Sequence, residues 1–376
     1  MLLLAFLSFF VSLVAVFFVR RWFRRHAQNY AFDMPQRFHA GAVPRLGGLG
    51  MLAGWLAGLT AAALVPRLGF FIGVSLDWTT YLGLFLVVSL VVLVGAAEDA
   101  TQRVPVRWRL ALTGLAGLLA VSLIGVSVPR LGLPVLDAWW ATLPWLGMVL
   151  AVLAIMGLTH AFNIIDGYNG LAGAVAVLIG LALAHISLQV GDRPLAALAL
   201  CLVACTMGFL FWNYPRGLIF AGDGGAYLWG VVIALISILL VQRHAQVSPW
   251  FPVLLLIYPV WETLFSIYRK WARGDSPGLA DALHLHQLVY RRLVRAMFEE
   301  DDARDLLARN NRTTPYLIAF ALMSVTPAVF FWNNTWVLMA FTVLFILIYV
   351  SAYLMIVRYS FEATIKTGER LTEPLV

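Results

Sequence analysis

Charge is what this sequence has least of: Asp, Glu, Lys and Arg make up 12% of its 376 residues, against 62% apolar ones. Soluble domains carry about 25% charged residues. A chain this poor in charge could not cover a water-facing surface, so its main solvent is a bilayer. Cysteine is nearly absent as well. Cys201 and Cys205 stand four apart in an apolar stretch; they read as two buried thiols on one helix face, and a disulfide framework is excluded. There is no basic–aromatic module of the kind that binds nucleic acid, and no internal repeat. Residues 1–19 lack a basic leading segment and a small-residue cleavage site, and RRWFRRH follows them. They are expected to stay in place as a first membrane helix, not to be removed as a signal peptide.

What the sequence does have is long apolar runs. A helix needs roughly 20 apolar residues to cross the hydrocarbon. Eleven segments meet that measure, near residues 1–19, 47–65, 81–97, 109–127, 143–159, 169–187, 195–212, 225–241, 249–267, 316–332 and 336–357. The expected fold is all-α: a single polytopic domain over residues 1–376 with about eleven transmembrane helices. Placing the N-terminus outside and the C-terminus in the cytoplasm leaves four of the 26 Lys and Arg residues on the outer side, namely Arg67, Arg130, Arg193 and Arg243. That bias supports both the orientation and the helix count. The outer loops are short, and Trp139, Trp140, Trp145 and Trp250 read as interfacial aromatics. The inner segments are richer in Asp, Asn, His, Gly and Arg. One of them, 268–315, is a cytoplasmic loop in which 288–309 has the spacing of an amphipathic surface helix.

Five inner segments carry groups that are costly near a bilayer and therefore point to function. DMPQRFHAGAVPRLGGLG (33–50) gathers Arg37, His39 and Arg45 before a glycine-rich helix start. Glu98 and Asp99 end an apolar span, and Arg103, Arg107 and Arg109 follow. Adjacent carboxylates on a helix point about 100° apart, so one can orient a cation while the other acts as base or nucleophile. The arginines beside them read equally well as charge neutralisation. In THAFNIIDGYNGLAG (159–173), Asn163, Asp166 and Asn169 recur every three residues. On a helical segment they would share a side, and their oxygens suit a hard cation such as Mg²⁺. Asp223 sits in GDGG at the start of an apolar run, where a helix N-terminus attracts anions. In RKWARGDSPGLADALHLHQLVYRR (269–292), Arg269, Arg273, Arg291, Arg292, His284 and His286 are donors a diphosphate needs. His-x-His finds no further local ligands, which argues against zinc. Two cation-friendly acidic segments and two anion-friendly basic ones on one face fit phosphoryl transfer.

These residues resemble a known family, the polyprenyl-phosphate N-acetylhexosamine-1-phosphate transferases, over about residues 33–290. The resemblance rests on Asp33, Pro35, Arg37, His39, Gly41, Val43, Pro44, Arg45, Gly47 and Gly48, and on the pair Glu98-Asp99. It continues with Asn163, Asp166, Gly167, Asn169, Gly170, Leu171 and Ala172, then Trp212, Asn213, Pro215, Phe220, Gly222, Asp223 and Gly225, and finally Asp281, His284 and His286. It implies transfer of a HexNAc-1-phosphate from a UDP-sugar to undecaprenyl phosphate at the cytoplasmic face of a bacterial inner membrane, initiating a cell-surface glycan. Asp223 with Asn163 or Asp166 would hold Mg²⁺, for which Mn²⁺ could substitute. Glu98, Asp99 and Asp166 are the implied catalytic carboxylates. Arg45, Asn169, Asn213, Arg273, His284 and His286 would bind substrate, with the sugar met between Asp275 and Ala282; a homodimer is compatible with the resemblance. Three positions depart from the family pattern: Glu98 stands for Asp, Asn169 for Asp and Gln287 for His. Composition and helix count alone would favour a transporter or flippase, which predicts polar residues at mid-membrane. Here they gather at the inner helix ends, and that favours the enzyme.

Overall fold

The computed structural model describes residues 1–24, 43–68, 73–274, 283–294 and 303–367. Asp33, Pro35, Arg37, His39, Gly41, Asp281 and the stretch 275–282 lie outside the described residues, as do residues 295–302 of the expected surface helix over 288–309. Every described element is helical. In chain order they are α1 (Leu2–Phe23), α2 (Gly47–Leu64), α3 (Trp78–Thr101), α4 (Val106–Leu119, extended by a wide π-type turn to Ile124), α5 (Pro134–Trp140), α6 (Pro144–Ile165) and α7 (Leu171–Gln189). Then follow α8 (Arg193–Asn213), α9 (Gly222–Arg243), α10 (Trp250–Leu255), α11 (Ile257–Arg273), α12 (Leu285–Leu288), α13 (Ala303–Phe330) and α14 (Thr335–Thr367). The protein is an all-α, multi-pass membrane protein.

Ten of the described helices are long and apolar enough to cross a bilayer. The eleventh expected span, near 249–267, is instead broken into α10 and α11, which meet at Leu256. Pro259 lacks the N–H that a continuous helix would give to Leu255 O, so the ladder misses a rung beside Leu256, although Leu256 N–H still reaches Pro252 O. The apolar run is long enough to span, but a hydropathy count does not see the break. Residues 285–294 form the short α12 and a further π-type turn, Val289–Val294.

Helix α9 is the axis of the bundle. Its apolar window is 100% buried, against 22% for those of α1 and α14, which present Leu2, Phe6, Phe10, Leu347 and Met355 outward. Outward-facing apolar side chains are what a helix against lipid requires. The close packing around α9 depends on small residues. A Cβ on Gly230 would collide with the backbone of Thr159, and one on Gly48 with that of Gly225. These contacts draw the C-terminal ends of α3 and α6 and the N-terminal ends of α2 and α9 to one end of the bundle, where the polar residues collect.

Candidate active site

The site is built on the first turn of α9. The chain reaches it through two backbone pairings, Gly47 N–H to Phe220 O and Gly48 N–H to Ala221 O, each 3.0 Å. Gly222 then takes a φ of +69° with no room for a Cβ between Arg45 O and the Asp99 carboxylate, so only glycine fits there. The opening N–H groups of a helix have no partner within it. Asp99, from the last turn of α3, supplies one. Its Oδ1 accepts from Asp223 N–H and its Oδ2 from Gly224 N–H, both at 2.9 Å. The neighbouring Glu98 points elsewhere: its Oε2 accepts from Val104 N–H at 2.7 Å and closes the α3–α4 turn. Two adjacent carboxylates thus have separate jobs, and the catalytic role expected of Glu98 finds no support in its position.

Asp223 faces the cavity above. Its Oδ1 accepts from the Asn163 amide at 2.7 Å and its Oδ2 from the Arg109 guanidinium at 2.5 Å. Tyr227 OH lies 3.5 Å from Oδ2. Asp166 follows directly on the last residue of α6. Burial, reinforced by the charge on Asp223 and opposed by Arg45, pushes its carboxyl up to about 7. A carboxyl in that range exchanges protons readily near neutrality.

Arg45, Asp99, Asn163, Asp166, Asp223, His284 and His286 line a single cavity of about 280 Å³. The five sequence segments therefore do meet. His286 approaches the turn after Asp166 so closely that a Cβ on Gly167 would lie 3.1 Å from its Nε2. Its ring meets Tyr168 edge-on at 5.7 Å, and Tyr168 stacks on Tyr290 at 5.4 Å.

Other expected residues stand differently. Asn169 is buried and tied to α13: its N–H donates to Asn310 and its amide to Asn311. The period of three fails because α6 ends at Ile165 and the chain reverses through Gly170, whose φ is +77°. Asn213 borders the cavity, but its amide is engaged by the main chain, accepting from Gly170 N–H and donating to Ile219 O. Arg273, at the end of α11, is not among the cavity-lining residues. Sequence reasoning missed Arg109, treated as flanking charge, Asn310 at the cavity wall, and Glu262 beneath the histidines. Glu262 carried a signal, since it is an acidic residue inside an apolar run.

Among the described residues no three His, Cys, Asp or Glu side chains form a metal cluster. The donors do suit Mg²⁺, which takes one or two carboxylates, keeps waters and completes its shell with substrate phosphate. Asp223 is already paired with cationic and amide donors. Rotating the Asn163 amide would turn its oxygen toward the same point. Arg109, whose buried Nε has no hydrogen-bond partner, is the cation that balances Asp223.

A second cavity, about 580 Å³, lies between α6, α9 and the broken pair α10–α11. Leu153, Ala161, Ile238, Val253, Val260 and Leu264 line it, and its walls are almost wholly apolar. Ala161 is half a helical turn from Asn163.

Residues 81–241 match the model of glycosyl transferase family 4, a stretch that contains Asp99, Arg109, Asn163, Asp166 and Asp223. A Bacillus subtilis protein named as a probable undecaprenyl-phosphate N-acetylglucosaminyl 1-phosphate transferase is 28% identical over 74% of this chain and 75% of its own. A decaprenyl-phosphate N-acetylglucosaminephosphotransferase of Mycolicibacterium smegmatis is 27% identical over 73% and 72%. An undecaprenyl-phosphate alpha-N-acetylglucosaminyl 1-phosphate transferase of Escherichia coli O157:H7 is 24% identical over 74% and 76%. Over residues 81–241 the chain is similar to glycosyl transferase family 4, and the relatives it resembles are named as polyprenyl-phosphate N-acetylglucosamine-1-phosphate transferases.

Proposed function

We propose that the protein transfers a HexNAc-1-phosphate from a UDP-sugar to undecaprenyl phosphate at the cytoplasmic face of a bacterial inner membrane, and so initiates a cell-surface glycan. The observation that carries this reading is the shared cavity, in which Asp166 and Asp223 face Arg45, His284 and His286. The names of the similar proteins make UDP-N-acetylglucosamine the first donor to test.

In this reading the donor's diphosphate lies against Arg45, Arg109, His284 and His286, and the acceptor's chain lies in the apolar cavity between α6 and α11. Asp223 and Asn163 would hold the divalent ion, which when bound neutralises diphosphate charge. An oxygen of the lipid phosphate attacks the phosphorus that carries the sugar. The bond from that phosphorus to the bridging oxygen breaks, and UMP leaves with the electron pair. A phosphate monoester loses its second proton near pH 6, so Asp166, at about 7, is matched to take it. Asp99 keeps the α9 N-terminus open toward the cavity. The excess of Lys and Arg on this side of the chain supports the cytoplasmic placement.

The test is UMP release by protein in lipid nanodiscs, given undecaprenyl phosphate, Mg²⁺ and a panel of UDP-HexNAc donors. Turnover with one donor is expected. No turnover with any, from folded protein, would favour a transporter or flippase instead.

A further inference from the structure

The cavity's histidine pair rests on a residue that the functional reading so far leaves out. Glu262 lies on α11, six residues past the break at Leu256, and is 1% exposed. Its Oε1 accepts from His284 Nδ1 at 3.2 Å and from Leu285 N–H at 2.8 Å, and its Oε2 accepts from Tyr349 OH at 2.8 Å. His286 Nδ1 is 3.9 Å from the same Oε1. The two imidazole rings lie parallel, 6° apart with centroids 5.2 Å apart, so one carboxylate sits at the Nδ1 edge of both.

We propose that Glu262 is a positioning residue of this site, fixing His284 through its Nδ1 and, through Leu285 N–H, the turn that carries His286, so that both rings meet the donor's diphosphate. The proposal rests on the reading of the polar cavity as the donor's site. A carboxylate at an imidazole Nδ1 places a proton there and sets the ring's orientation. The bond at His284 Nδ1 turns the opposite, Nε2 edge of that ring away from the carboxylate, and both rings line the cavity. A carboxylate buried in an apolar helix is tolerated when donors satisfy its oxygens and cationic partners balance its charge. Glu262 has such donors on both oxygens. The backbone bond to Leu285 adds a second function, because it sets the height of the α12 turn that carries both histidines. Tyr349, from α14, holds the other oxygen, so the carboxylate cannot swing away from the pair.

A purely structural pin between α11, α14 and α12 would lower the amount of folded protein or the turnover number without selectively affecting the donor. A positioning role instead appears in the Michaelis constant for the UDP-sugar. Glu262→Gln keeps the shape and removes the charge. It is expected to raise the donor KM about tenfold, the scale of one charge-assisted hydrogen bond, with kcat within about twofold. In a His284→Ala background, Glu262→Gln is expected to add little, since its effect passes through a ring already gone. Tyr349→Phe keeps the charge and frees one carboxylate oxygen; it is expected to raise the donor KM by less than Glu262→Gln with kcat within about twofold, and it tests the same contact if Glu262→Gln expresses poorly. Full additivity of Glu262→Gln and His284→Ala, or a fall in kcat at unchanged donor KM, overturns the proposal. Wild-type turnover with a kinetically silent Glu262→Gln overturns it and leaves the reading of the cavity intact. A folded wild-type protein that releases no UMP overturns both.

Discussion

Asp99 and Asp223 are both carboxylates of the polar cavity, yet their surroundings give them different work. Asp99 is 6% exposed with both oxygens engaged by the N–H groups that open α9, an arrangement that suits a scaffold. Asp166 lies in the same cavity with its carboxyl at about 7. If Asp166 accepts the proton of the lipid phosphate, its reactive form is the carboxylate, which dominates above pH 7 and is lost as pH falls. The account therefore predicts a bell in kcat/KM for the lipid, with the maximum between about pH 6 and 7. It rises with pH as Asp166 ionises near 7 and falls as the lipid phosphate loses its own proton near pH 6. Asp166→Asn should cut turnover at least about a hundredfold and remove the acid limb from the profile. An unchanged acid limb in that variant would give the proton to another group. Residue identities in the site were largely legible, because Asp, Asn and His at helix ends are conspicuous in a chain with so little charge. Their roles were not, since Glu98 and Asp99 are separated only by the local turn that Glu98 itself closes. Asn169 was misplaced for a similar reason: spacing by threes places residues on one side only while the helix lasts.

Among the elements, the pair α10–α11 differs most from what hydropathy implies. The sequence shows one apolar span; the structure shows a helix broken at Leu256, one side of whose second half borders an apolar cavity while Glu262 reaches the histidines. That division was invisible in composition, because it depends on where Pro259 falls relative to the neighbouring helices. The other helices were well marked, their limits moving by a few residues where a cap or a wide turn intervenes. If the apolar cavity holds the acceptor's chain, filling it should weaken the acceptor and spare the donor. Val260→Trp is expected to raise KM for undecaprenyl phosphate about tenfold, with the donor KM unchanged, in steady-state assays that vary each substrate in turn. Equal effects on both substrates would place the lipid elsewhere.

The whole molecule is a bundle organised around α9, and its polar end is a product of topology. Alternating helix directions return residues far apart in the chain to one membrane face, so Arg45, Asp166 and His286 share a wall although some 240 positions separate the first from the last. The distribution of Lys and Arg predicts that this face is cytoplasmic. Single cysteines placed at Arg216 and at Arg193, in a chain with Cys201 and Cys205 replaced, should react with a membrane-impermeant maleimide from opposite sides. In intact spheroplasts the label should reach position 193 and spare position 216. The reverse pattern would turn the site outward, away from any cytoplasmic nucleotide sugar.

The central claim is that one cavity brings a nucleotide's diphosphate and a lipid's phosphate together around Asp166 and Asp223. Its most direct test follows the phosphorus. UDP-N-acetylglucosamine labelled in the phosphate that carries the sugar is incubated with nanodisc-embedded protein, undecaprenyl phosphate and Mg²⁺, and the products are partitioned between lipid and water. The account predicts that the label moves into the lipid fraction in step with UMP release, and that Asp223→Asn abolishes both. Release of UMP with the label left in water, or undiminished transfer by Asp223→Asn, would contradict it.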